Sequence, residues 1–144
     1  MYIAVTGAAG FIGSNIVKAL CERGARLGTY LRDHTSLPGR LSELAIILAA
    51  RHWGAQFEWL AHAKKAISAG VAVEVVEAIR DGKRPEFAHR DEAVVYDFLG
   101  ELFAQRRVGQ SAWRALSQEI GVTAAIELTT VAGFYSTIAM LIVA

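Results

Sequence analysis

Apolar positions recur at helical spacing through most of this chain. Pro38-Gly39 makes a turn, and Leu41, Leu44, Ile47 and Leu48 then repeat at i, i+3, i+6 and i+7. That pattern predicts a helix to about His52, broken by Gly54. A second helix is expected from Gln56 to Ala69, with Gly70 as its C-terminal glycine. Val73 to Arg80 reads as a short helix ending at Asp81-Gly82, and Lys83 to Arg90 reads as a loop around Pro85. Asp91 is placed to cap a long helix that buries Val94, Val95, Phe98, Leu99, Leu102 and Phe103. Ser111 opens another short helix, Gly121 punctuates, and an apolar segment closes the chain. No alternating strand pattern of useful length follows Gly24, so residues 25–144 are expected to be an all-α body.

The first 24 residues have a different pattern. Ile3 to Val5 is a short apolar strand, followed by Gly7, Gly10 and Gly13 and then an amphipathic helix. In a dinucleotide-binding fold these glycines serve the tight turn, the approach to a pyrophosphate and close helix–strand packing. The stretch resembles the start of the extended short-chain dehydrogenase/reductases, nucleotide-sugar epimerases in particular. Such a fold needs several parallel strands, and only Ile3 to Val5 qualifies clearly. Thr29 to Leu31 is a weaker candidate strand, leading to Asp33 at the right distance for a ribose-binding acid. The reductases also use Tyr-x-x-x-Lys, and none of Tyr2, Tyr30, Tyr96 or Tyr135 has lysine four residues on. Residues 1–24 are therefore expected to be an appended βα-like segment, not an independent domain, and Gly7, Gly10 and Gly13 are not expected to bind a cofactor. Much of residues 11–33 is expected to be helical and to pack on the body.

Composition narrows the classes further. At 144 residues and 53% hydrophobic, with mean hydropathy +0.32, the chain suits one domain with apolar surface to spare for subunit contacts. A net charge of +1, with basic residues scattered, does not suit nucleic-acid binding. Cys21 is the sole cysteine, which excludes an intrachain disulfide and a Cys-x-x-Cys pair. No basic n-region follows Met1, and a cytoplasmic location is expected. Val122 to Ala144 is apolar enough to raise a membrane span. Glu127, Thr129, Thr130, Ser136 and Thr137 interrupt it without basic flanks, and a charge at mid-bilayer costs roughly 2.5–3.5 kcal/mol. A core or interface helix is the expectation, with no membrane partner.

From about Tyr30 onward the chain resembles the carboxymuconolactone decarboxylase family, which shares the alkyl hydroperoxidase D fold. The matching stretches include Tyr30 to Pro38, Arg40 to Ile46, Ala50 to Trp59 with His62, Asp91 to Phe98, and Glu127-Leu-Thr with Gly133 to Ser136. The redox branch of that fold carries E-x11-C-x2-C-x3-H, and its spacing falls here on Glu43, Ala55, Glu58 and His62. Both cysteine positions are lost, so thiol peroxidase chemistry is not expected. Decarboxylase-like members carry glutamate at the second position, as Glu58 does. The resemblance implies a proton relay of Glu43 and His62, a homo-oligomer (trimer or hexamer) with its pocket near a subunit boundary, and no organic cofactor.

Glu58 and His62 are four apart on one helix and so share a face. Their pairing would raise the histidine pKa and fix its tautomer, giving an acid/base group for neutral pH. The bland alternative is a solvated i, i+4 pair. Arg51, eight residues beyond Glu43, is either a buried salt bridge or a fork for a substrate carboxylate, and Trp59 is a candidate substrate contact or a core aromatic. His52 with Glu58 and His62 lacks the spacing of a metal motif, and no metal is expected. The expected function is cofactor-independent acid/base decarboxylation of a small carboxylated lactone or related aromatic-catabolism acid. His62 would be acid/base, Glu58 its partner or the proton donor, Glu43 the orienting relay and Arg51 an anion contact. Two alternatives remain: an NAD(P)-dependent epimerase or reductase fragment, and a non-catalytic oligomeric scaffold built on a buried ionic network.

Overall fold

The computed structural model describes residues 23–144. Among them are seven helices and no strand: α1 (Ala25–Asp33), α2 (Gly39–Trp53), α3 (Gln56–Ser68), α4 (Val73–Arg80), α5 (Arg90–Gln105), α6 (Gln110–Ile120) and α7 (Val122–Val143). The body is all-α. Gly7, Gly10, Gly13 and the Ile3 to Val5 strand lie outside the described residues. Thr29 to Leu31, weighed as a second strand, is instead the middle of α1. Its Leu31 is buried in the core, and the helix packs on α7 and α2.

Helix α2 is the central element. Leu41 through Ile47, Ala49 and Ala50 are all buried, because α7, α3 and α5 pack on different sides of it. The i, i+3, i+7 stripe marked only part of this enclosure. The remaining sides are filled by the small or apolar Ala45, Ile46, Ala49 and Ala50, and by two polar residues, Ser42 and Glu43. On α5 the predicted face holds: Val95, Phe98 and Leu99 are buried, with Val94, Leu102 and Phe103 packed at the margin.

The α2–α3 and α3–α4 junctions are tight glycine turns. Gly54 has φ +69°, its N–H donates to Arg51 O, and the N–H of Ala55 donates to Ala50 O at 2.9 Å. This Schellman closure satisfies carbonyls that the ending helix would leave open. Gly70, at φ +107°, ends α3 in the same way, with Val71 N–H donating to Ala66 O. Ala55 and Val71 are both buried, so each turn is pinned to the core.

Helix α5 starts two residues earlier than the sequence suggests, with His89 and not Asp91 at the cap position and no side-chain cap bond. Asp91 lies inside the first turn. It pairs with Arg40 Nη2 at 2.7 Å, and Arg40 Nη1 donates to the buried Glu92. One arginine at the start of α2 thus neutralises two acids at the start of α5. Helix α7 is long and apolar enough to cross a membrane by length and composition. Its Ala125, Leu128, Val131, Ala132, Tyr135 and Ala139 pack inward. Glu127, the charge in that apolar run, accepts the N–H of Ser36 at 2.8 Å and its hydroxyl. It anchors the α1–α2 connection to α7.

Candidate functional site

Glu43, Glu58 and His62 are all buried, on the facing helices α2 and α3. Nδ1 of His62 lies 2.7 Å from Oε2 of Glu43. The contact runs between the two helices and leaves 9% of either side chain exposed. A hydrogen bond held there fixes the ring's orientation and directs Nε2 away from Glu43.

Glu58 sits differently from the expected i, i+4 partner of His62. It is 3% exposed, and neither carboxylate oxygen has a hydrogen-bond partner among the described residues. Burial pushes its pKa from the ordinary glutamate value up to about 8, because desolvation penalises the charged form. Near neutral pH this side chain is mainly a carboxylic acid, a donor in place of an acceptor-only anion. The two glutamates therefore have separate roles: one engaged by the imidazole, the other neutral and unpaired.

Tyr135 of α7 completes the cluster. Its ring meets His62 edge-on, with centroids 5.1 Å apart, and its hydroxyl accepts a hydrogen bond from the Arg32 guanidinium. Burial pushes the Tyr135 pKa up; Arg32 opposes this, and Glu43 and Glu58 add to it. Three ionisable side chains thus act on one phenol. Tyr135 and Arg32 carried no chemical assignment in the sequence. They are 103 residues apart, and no local spacing could connect them. Tyr135 does fall in the Gly133 to Ser136 stretch that supports the family resemblance.

The other candidates lie elsewhere. Arg51 is exposed, and its Nε donates to the Arg80 carbonyl at 3.0 Å, tying the end of α2 to the end of α4. It forms neither a buried ion pair with Glu43 nor part of this cluster. Trp59 is half-buried against the hydrophobic core. His52 is exposed and stacks on Phe103, centroids 4.9 Å apart. Among the described residues no three His, Cys, Asp or Glu side chains converge as metal ligands.

A cleft of about 430 Å³ opens beside the cluster, between the end of α1, the start of α2 and the last turns of α3. Glu43 lines it, and so do Arg32, Ser42 and Lys65. Of the buried cluster Glu43 alone is in its lining; His62 and Glu58 are not. No family model matches this chain, and no solved structure matches it.

Proposed function

We propose that this protein is a cofactor-independent acid/base enzyme of the carboxymuconolactone decarboxylase type, acting on a small carboxylated molecule. The observation that carries the reading is the juxtaposition of a buried His62–Glu43 hydrogen bond with a buried, unpartnered and protonated Glu58. A base held in one orientation and a separate neutral acid are what proton removal and return require. In decarboxylation the bond from carbon to the carboxylate breaks and CO2 leaves. The electron pair remains on carbon, delocalised into an adjacent carbonyl as an enolate, and an acid then protonates that carbon. Glu58 supplies this proton, and His62, oriented by Glu43, exchanges it with solvent. An apolar surround favours the step because the localised carboxylate charge becomes dispersed over the enolate as neutral CO2 leaves.

The unpartnered state of Glu58 favours this reading over a structural ionic network, in which a buried carboxyl would be paired. By the same resemblance the active form is a homo-oligomer, a trimer or hexamer. The test is CO2 release from a panel of small carboxylated lactones, with His62→Ala and Glu58→Gln as controls. Turnover that falls at least ~100-fold in both variants, with the oligomer intact, supports the assignment. Unchanged turnover in His62→Ala removes that residue from the mechanism.

A further inference from the structure

The cleft beside Glu43 holds a set of groups that the acid/base cluster does not use. Ser42 is 1% exposed, lines the cleft, and its hydroxyl has no hydrogen-bond partner among the described residues. A buried hydroxyl without a partner costs stability, so its retention facing a cavity points to a ligand that supplies one. The start of α2 opens on the same space. Gly39 lines the cleft, and Pro38 at the cap position makes no side-chain cap bond. Leu41 and Ser42 donate their N–H groups to Pro38 O, which leaves those of Gly39 and Arg40 for a ligand, and the helix end carries partial positive charge. Lys64 and Lys65, on the last turns of α3, line the opposite wall with Arg32. Neither lysine makes an ion pair among the described residues. Two acids face the same space, Asp33 and Glu43, and Oε2 of Glu43 is engaged by His62.

We infer that this cleft is a binding subsite for the carboxylate of a small organic acid, held by Ser42, the first turn of α2 and the Lys64–Lys65 pair. The cleft's size is that of small-molecule sites. Glu43 is in its lining, so a carboxylate anchored at the lysines presents the rest of the molecule to Glu43, which bonds His62. The subsite takes over the anion-binding role for which Arg51 was a candidate. Which end of the ligand reacts rests on the acid/base reading above; the binding itself does not.

Titration of the full chain with succinate and, separately, inorganic phosphate tests this, followed by amide chemical shifts and thermal stability. Succinate is expected to shift residues 39–43 and 64–68, with affinity weakening as ionic strength rises. Lys64→Gln with Lys65→Gln should weaken it at least ~10-fold, about 1.4 kcal/mol. Ser42→Ala should weaken binding while leaving the melting temperature unchanged or higher, since it removes an unpartnered hydroxyl. A structural role for Ser42 would lower the melting temperature instead. His62→Ala should still bind succinate. Retained binding with no turnover on any lactone would sink the enzymatic reading and leave the subsite standing. Absent succinate binding, shifts elsewhere, binding indifferent to the lysine pair, or a site that takes phosphate alone would each overturn the subsite.

Discussion

His62 is held by Glu43 of the neighbouring helix, Nδ1 to Oε2 at 2.7 Å, and not by Glu58 on its own helix. The imidazole therefore reports on the packing of α2 against α3. Glu43→Gln keeps the shape but removes the anionic acceptor. It should lower stability by ~1–3 kcal/mol and redistribute the His62 tautomers. Urea denaturation and imidazole 15N shifts measure the two effects. An unchanged tautomer would show that Glu43 does not orient the ring.

Glu58 gives stability a pH dependence with a definite sign. Its pKa rises from 4.5 in the free side chain to about 8 in the folded protein, so the folded state holds a proton that the unfolded state releases between those values. The contribution is fully present below pH 4.5 and is lost as pH climbs toward 8, at up to ~1.4 kcal/mol per pH unit. Glu58→Gln should flatten that slope and be more stable than the parent at pH 8. Denaturation midpoints across this range check it; parallel curves for the two proteins would refute it.

The Arg40 clamp should dominate the stability of the α2–α5 contact. Glu92 has 2% of its side chain exposed, so Arg40→Ala leaves a buried acid unpaired and should cost ~3 kcal/mol. Arg40→Met combined with Glu92→Leu should recover most of that loss. A double-mutant cycle on these positions measures the coupling. Additive losses would mean that the pair is not coupled.

Helix α7 leaves Val122, Ile126, Met140 and Val143 substantially exposed while its other face is in the core. If the protein assembles as proposed, Ile126→Glu with Met140→Glu should shift its mass by light scattering toward the monomer without unfolding it. A monomeric parent would remove the oligomer from the proposal.

The sequence made the helices legible because periodicity and glycine punctuation are local signals. Val73–Arg80 is recovered residue for residue, and Gly54, Gly70 and Gly121 mark ends in both descriptions. Side-chain partners are less legible. Spacing put Glu58 and His62 on one face, but a shared face does not make two side chains meet. His62 turns toward Glu43, and Glu58 stays alone. Arg51 shows a related limit: eight residues at 3.6 per turn end about 80° around the helix from Glu43, so the guanidinium faces the end of α4. Arg32 and Tyr135 meet only because α1 folds back on α7, a relation no window of sequence contains.

The Gly54–Ala55 turn has a consequence for how this site could vary. Because both of its ends are locked by backbone hydrogen bonds and Ala55 is buried, the turn sets the rotational phase of α3 relative to α2. One residue inserted into the first turn of α3, just past this corner, would turn every later side chain of that helix by about 100°, swinging His62 off Glu43 while leaving each helix intact. The His62–Glu43 contact is in this sense encoded as a length, and a single insertion at that corner would break it more thoroughly than most side-chain replacements.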